Sequence, residues 1–377
     1  MNLSRRRFVR NSALAAVGLP LTTAGFDYCS QGEAAQSFDL SMGNPEGAVR
    51  LNFNENTLGP SPRAIEGATQ AISESYRYAL GGLLRPHIAD YLGMEKEWVL
   101  MGTGSTEIQR LAPIAHARNG GNVVAAKETW GGLLTVAENM GLTVKRIELN
   151  KSESYSYDVE SMLAAVDSET RIFLLVNPNN PTGTTLGYSE LETIADALPQ
   201  NVLFVIDQAY DDYQDDEKTG VDLLKDGYFN VLATRTFSKA HALAGLRCGY
   251  GLAHPDVLRE ISKFGCGPGS INIAVFGAVL GALSDPEHPV RSREYVRNTR
   301  TYYEQQCTQL GVPFVAGPTP FCLIELGESA TAVHEALRER NIIVARGSSW
   351  HLPNHIRISY GRPEENQAFF SELRSIL

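Results

Sequence analysis

TRTFSKAHALAGLRCGYG, residues 234–251, holds a single lysine, Lys239, within Thr236-Phe237-Ser238-Lys239, and an arginine eight residues on, Arg247. The strand-like segment NVLATRTFS, Asn230 to Ser238, leads into it. Lys239 therefore falls where a buried strand gives way to a turn. In an open α/β sheet, ligands collect at the carboxyl ends of strands. A lysine there, with two hydroxyls and an arginine beside it, is the set required by a phosphate-bearing cofactor that condenses with an amine. A lysine alone is ordinarily a solvated surface charge, so the weight falls on what the rest of the chain supplies.

Upstream, the pattern alternates. Trp98 to Met101, Asn122 to Ala126, Val144 to Leu149, Arg171 to Val176, Val202 to Ile206 and Val231 to Ala233 are short apolar runs. Helical segments such as Thr106 to His116, Gly131 to Met140, Val159 to Ala165 and Tyr188 to Leu198 separate most of them. This alternation predicts a mostly parallel sheet with helices on both faces. Gly245 to Ala253 reads as one more strand, joined to Ser238 by too short a connection to be parallel to it. Beyond Asp285-Pro286 the pattern changes to a long charged helix, Val290 to Leu310, short strands at Phe321 to Leu326, Ile342 to Ala345 and His355 to Tyr360, and a final helix. The chain thus divides into a leader (1–35), an N-terminal arm (36–70), a large α/β domain (71–285) and a smaller α+β domain (286–377).

With 377 residues, 43% apolar and 20% charged, the composition is that of a globular enzyme. A net charge of −10 argues against nucleic acid and against an anionic membrane surface as partner. The N-terminus, Ser4-Arg5-Arg6-Arg7-Phe8-Val9-Arg10 followed by the weakly apolar Ala13 to Leu21, resembles a twin-arginine export signal. Small residues near Ala24 and at Ala34-Ala35 offer cleavage sites. The apolar run is about half the ~20 residues of a membrane span, so the expectation is export, to the periplasm, with no retained anchor. The five cysteines have no metal-ligand spacing, and no disulfide is expected. The histidines form no metal-binding pair at helical spacing, so no metal is expected. No Gly-x-Ser-x-Gly elbow supports a serine hydrolase.

Several strings carry candidate chemistry. Gly102-Thr103-Gly104-Ser105-Thr106-Glu107 opens a helix directly after a strand, where free N–H groups and the helix dipole favour a phosphate. In Asn177-Pro178-Asn179-Asn180-Pro181-Thr182-Gly183, two prolines hold the Asn180 amide at a strand's carboxyl end. Asp207 ends the apolar strand of FVIDQAY, where a carboxylate needs a cationic partner, and Tyr210 follows three residues later. Arg357, in HIRISYG, is placed on a strand and suits a carboxylate. Arg346 is a second arginine of that kind, Trp130 is an aromatic able to stack on a ring, and Asn56 lies in the arm's LNFNEN.

Together LNFNEN, RY, GTGSTE, NPNNPTG, DQAY, TFSKAHALAGLRCG and RISYGRPEEN resemble, in order, the fold-type I pyridoxal-phosphate aminotransferases, in the branch of histidinol-phosphate aminotransferase. The resemblance implies a seven-stranded sheet with helices on both faces plus a smaller α+β domain, a pyridoxal 5'-phosphate cofactor and a homodimer with a shared site. It makes Lys239 the Schiff-base lysine, Asp207 the partner of the pyridine nitrogen, and Asn180 and Tyr210 ligands of the ring's 3'-oxygen. It places Trp130 on the ring, and the phosphate on Ser105, Thr106, Thr236, Ser238 and Arg247, with Tyr78 arriving from the second subunit. The substrate's anionic end falls to Arg357, with Arg346 and Asn56 as further substrate contacts. The implied activity moves an amino group from an amino acid or related amine to a 2-oxo acid by a ping-pong mechanism. Decarboxylation, other chemistry at Cα, and cofactor binding without catalysis are the alternatives on the same fold. Two departures stand out. Thr106 replaces the acidic residue common after this Gly-Ser, and Tyr78-Ala79-Leu80 lacks the usual Tyr-Pro-Asp.

Overall fold

Buried strands without a polar face dominate the first sheet. TRIFLLV, residues Thr170–Val176, is buried at all but one position, and LFVID, residues Leu203–Asp207, at every one. Strands so completely buried are stable only when helices cover both sides. The computed structural model describes residues 45, 47–79, 81–216 and 218–377. The expected leader, the first part of the arm and Cys29 lie outside these residues.

Twelve strands occur in chain order among the described residues: β1 (Val49–Leu51), β2 (Val99–Gly102), β3 (Asn122–Ala126), β4 (Thr143–Ile147), β5 (Thr170–Val176), β6 (Leu203–Asp207), β7 (Val231–Thr236), β8 (Gly249–Ala253), β9 (Phe314–Ala316), β10 (Phe321–Glu325), β11 (Ile342–Arg346) and β12 (His355–Ser359). The large sheet has seven strands in the order β2-β8-β7-β6-β5-β3-β4. β8 runs antiparallel to both of its neighbours, and the other pairings are parallel. The short link after Ser238 has the consequence expected of it, since a parallel return needs a crossover. Phe173 and Phe204 meet edge-to-face at 5.7 Å between adjacent strands, in the middle of the core. Each such ring contributes on the order of 2 kcal/mol by its burial.

The smaller sheet, β1-β11-β12-β10-β9, is antiparallel apart from the β1–β11 pair. Its core gathers Tyr303, Tyr360, Phe369 and Phe370, with Tyr303 within 4.8 Å of both Tyr360 and Phe370. Tyr303 lies on the long helix Glu287–Leu310, and the two phenylalanines on Pro363–Ile376. Both sheets belong to one unit, Gly47–Leu377. Val49–Leu51 adds a parallel edge strand to the small sheet, and the residues after it turn toward the large one.

β1, β9 and the helices Gly220–Lys225, Pro255–Ser262, Ala330–Glu339 and Ile273–Leu283 are not among the elements expected from the sequence. The last of these is apolar almost throughout, so it has no helical stripe to detect. No helix among the described residues is long and apolar enough to cross a membrane.

Candidate active site

The carboxyl ends of β2, β5, β6 and β7 open on one cavity of about 610 Å³, and the small sheet brings Arg357 to it from the other side. Lys239 follows β7. Its Nζ donates to the carbonyls of Phe53 at 2.9 Å and Asn54 at 3.2 Å, and lies 5.8 Å from the Tyr210 ring centre. Burial, helped by the Arg357 and Arg247 charges, lowers its amine to about 8. Removing an ammonium from water penalises the charged form.

Asp207 closes β6, buried, with one carboxylate oxygen accepting from the Ala209 N–H at 3.1 Å. Burial raises its carboxyl to about 6, against hydrogen bonds that pull the other way. Of the nearby charges only that of Lys239 favours its ionised form, and burial outweighs it, so a direct cationic partner would suit this position. Tyr210 sits in the turn beyond, its hydroxyl accepting from Asn54 Nδ2 at 2.9 Å and raised to about 12, chiefly by burial. Asn180 follows β5, between cis peptides at Asn177-Pro178 and Asn180-Pro181. Its Oδ1 accepts from Arg357 Nη1 at 2.7 Å.

Arg357 is buried on β12, with Nη2 donating to Asn52 O at 2.5 Å and the guanidinium 4.5 Å from the Trp350 ring centre. Burial lowers it to about 10, leaving it a cation at neutral pH.

At the far end the helix Ser105–His116 starts from Gly104, with no side chain capping its first turn. Gly104 has φ +88°, and a Cβ built there would lie 2.7 Å from Arg247 Nη2. Arg247 also holds positive φ, +57°, and donates to Ala244 O at 2.8 Å. Thr236 Oγ1 donates to Ser238 Oγ at 2.9 Å and accepts from the Ser238 N–H at 3.1 Å. Two hydroxyls, an uncapped helix N-terminus and a guanidinium thus face one corner, which is the donor set of a dianion.

The class I and II aminotransferase family model matches residues 46–373. The chain belongs to this family. The expectation of a pyridoxal-phosphate-dependent aminotransferase is met by that membership, and the expected fold by the seven-stranded sheet. Histidinol-phosphate aminotransferase 2 of Pseudomonas fluorescens is 34% identical over 352 residues, covering 92% of each chain. The solved histidinol-phosphate aminotransferase of Sinorhizobium meliloti, in complex with pyridoxal-5'-phosphate, matches with a TM-score of 0.80 and 25% identity over 88% of this chain and 92% of that one. The L-threonine-O-3-phosphate decarboxylase of Porphyromonas gingivalis shares the fold at a TM-score of 0.74 and 22% identity, covering 87% of this chain and 98% of its own.

The residues of this aminotransferase fit the cofactor. The uncapped helix start at Ser105, the Thr236 and Ser238 hydroxyls and Arg247 all line the cavity and would suit a phosphate, and a protonated ring nitrogen would supply a cationic partner for buried Asp207. Of the residues singled out in the sequence, Ser105, Thr106, Trp130, Asn180, Asp207 and Tyr210 line the cavity, as do Thr236, Ser238, Lys239, Arg247, Arg346 and Arg357. Arg346 is committed elsewhere at its far end: Nε donates to His334 Nδ1 at 3.1 Å, and Nη2 pairs with Glu335.

Two residues lie apart. Asn56 turns away, donating to Ala240 O at 2.9 Å and Ser292 Oγ at 2.7 Å, and lines a neighbouring hollow. Tyr78 is 91% exposed and does not reach the cavity of its own chain. The sequence reading passed over Asn54 and Trp350. LNFNEN drew attention to the arm, but only the pairing with Ser359 and Tyr210 shows which asparagine turns inward. Trp350 lies in a short turn with no pattern to mark it. Among the described residues no cluster of three or more acidic, histidine or cysteine side chains could hold a metal. Cys248, Cys266, Cys307 and Cys322 are free thiols, all of them buried except Cys266.

Proposed function

We propose that this aminotransferase takes the amino group of an amino acid through its carboxylate-binding Arg357 and passes it to a 2-oxo acid in two half-reactions. The observation that carries this reading is the convergence of Lys239, Asp207, Tyr210, Asn180 and Arg357, from both sheets, on one cavity. The bound cofactor supplies an electron sink for the bond that breaks at the donor's Cα. Lys239 holds and moves the proton. With its amine near 8, a useful share is neutral at physiological pH, and Nζ could take the proton from the donor's Cα and hand it on to the cofactor carbon that would keep the amino group. Asp207 would keep its charge by facing the ring nitrogen, which it would in turn keep protonated. Asn180 and Tyr210 would present an amide and a hydroxyl to the ring oxygen, and Trp130 would cover the ring. Ser105, Thr106, Thr236, Ser238 and Arg247 would anchor the phosphate. Arg357 meets the carboxylate with its planar fork, exchanging its bonds to Asn180 and Asn52 for charged ones.

A half-reaction screen tests this. Holoenzyme is mixed with single amino donors, histidinol phosphate included, and the visible cofactor band is followed. Bleaching by an amino acid alone supports transamination. Carbon dioxide release without bleaching points instead to decarboxylation, and a preparation without a band that added pyridoxal phosphate cannot restore points to a non-catalytic protein.

The arginine run Ser4 to Arg10 and the apolar run behind it support export of the folded, cofactor-loaded enzyme to the periplasm. Replacing Arg5 and Arg6 by lysine should then keep the protein in the cytoplasm, as cell fractionation would report. The exposed apolar side chains of Phe53, Ile65, Ile72, Tyr76 and Tyr78 support a face covered by a second copy, with Tyr78 reaching that copy's phosphate site. Sedimentation should then give a dimer. Mixing inactive Tyr78→Ala and Lys239→Ala chains should restore activity in hybrids that carry one intact site.

A further inference from the structure

Asn54 lies three residues past β1, where the chain leaves the small sheet for the cavity. Its backbone is left-handed, with φ +55°, a conformation that asparagine tolerates better than most residues. Three hydrogen bonds hold it besides the one its carbonyl accepts from Lys239. Its N–H donates to Ser359 Oγ at 2.7 Å, its Oδ1 accepts from that hydroxyl at 3.1 Å, and its Nδ2 donates to the Tyr210 hydroxyl oxygen at 2.9 Å. Asn54, Ser359 and Tyr210 are all buried. Just before it, the carbonyls of Asn52 and Phe53 accept from Arg357 and Lys239. One short strap therefore touches the lysine, the tyrosine and the substrate arginine together.

We infer that Asn54 is a positioning residue for the reaction: by donating to the Tyr210 oxygen it turns the single Tyr210 proton toward the cofactor's ring oxygen. A phenolic hydroxyl has one proton, and a donor occupying its acceptor side forces that proton to point elsewhere. The Asn54 amide keeps its donating end toward Tyr210 because Ser359 occupies the accepting end. Ser359 can do so because its own oxygen already accepts the Asn54 N–H, which leaves its proton for Oδ1. The chain of donors runs one way, from the small sheet through Asn54 to Tyr210. A hydroxyl that accepts such a bond is also the stronger donor, through polarisation along the chain. A donor on the ring oxygen draws charge from it and makes a proton at Lys239 Nζ easier to lose.

This inference rests on the reading of Tyr210 as a donor to the ring oxygen, and the test separates the two. Asn54→Asp is nearly isosteric and tolerates the left-handed backbone, but its carboxylate only accepts and so draws the Tyr210 proton toward itself. Asn54→Gly keeps the backbone conformation and removes the amide. Each is purified as holoenzyme, the visible band is titrated with pH, and pyridoxal phosphate affinity is measured by dialysis. Asn54→Asp should raise the midpoint of that titration by about one pH unit, toward the value of Tyr210→Phe, and weaken cofactor retention. Asn54→Gly should raise it less. In a Tyr210→Phe background neither should move the midpoint further. A shift in Tyr210→Phe without one in either Asn54 variant, or Asn54 shifts that persist undiminished in the Tyr210→Phe background, would overturn the role of Asn54 alone. No shift in Tyr210→Phe would overturn the Tyr210 reading and the inference with it.

Discussion

Arg357 Nη1 donates to Asn180 Oδ1 at 2.7 Å across the gap between the two sheets. The residue that would hold the substrate's carboxylate is therefore bonded to a residue that would hold the cofactor's ring. Both side chains are buried, so breaking this bond without replacement is costly. An incoming carboxylate is the replacement. Asn180→Asp would turn this contact into an ion pair that competes with the substrate. We expect kcat/KM for amino acids to fall by about 10- to 100-fold, mostly through KM, in steady-state assays across donors of different charge.

Arg357→Lys should be far from conservative. A lysine keeps the charge but loses the fork and the stacking on Trp350, 4.5 Å away. The expected loss in kcat/KM is about 100-fold for carboxylate donors and small for simple amines, which rapid-mixing half-reactions with both classes would measure.

Lys239→Ala should retain the fold and lose turnover by at least about 10³-fold, because no other amine takes its place at the proton-transfer position. The fold is expected to survive because the Lys239 bonds to Phe53 O and Asn54 O are two among several that hold the strap. Circular dichroism and single-turnover kinetics would check both halves.

Asp207 makes the apoprotein's stability depend on pH. Its carboxyl moves from an ordinary 3.8 up to about 6 on folding, so between these values the folded chain binds more protons than the unfolded one. Stability then falls as pH rises through that window, by on the order of 3 kcal/mol in total, and is greatest below it. Asp207→Asn should flatten this part of the profile in denaturant titrations of the apoprotein from pH 4 to 7. The same change should weaken pyridoxal phosphate binding, since the ring nitrogen loses its counter-charge.

Gly104→Ala should act on the phosphate corner. The added Cβ would lie 2.7 Å from Arg247 Nη2 at a backbone φ of +88°, so the guanidinium must give way and the backbone is strained as well. We expect a loss of about 1–3 kcal/mol in stability and a weaker hold on pyridoxal phosphate, readable from thermal melts and from cofactor dialysis.

Much of this was legible in the chain itself. The strands at Asn122–Ala126, Thr170–Val176, Leu203–Asp207 and Val231–Thr236 each contain a continuous apolar run, and each loop after them carries its chemistry in a short local string. Lys239, Asp207, Asn180 and Arg247 could be found because strand, turn and functional residue adjoin in sequence. The reversed direction of β8 was readable from connection length alone.

Other features belong to the tertiary structure. In LNFNEN the asparagines at 52, 54 and 56 are chemically alike, yet the first lends a carbonyl to Arg357, the second turns inward to Tyr210, and the third turns away to Ala240 and Ser292. The bond that selects the second spans 305 positions, to Ser359, and leaves no local signature. Arg346 and Arg357 likewise look alike on their strands, but only Arg357 meets Asn180, while Arg346 is drawn to Glu335 and His334. Periodicity and turn chemistry act over a few residues and so wrote the sheet and its loops into the sequence. Which polar side chain is buried against which depends on packing between segments far apart, and that was decided only when the two sheets came together.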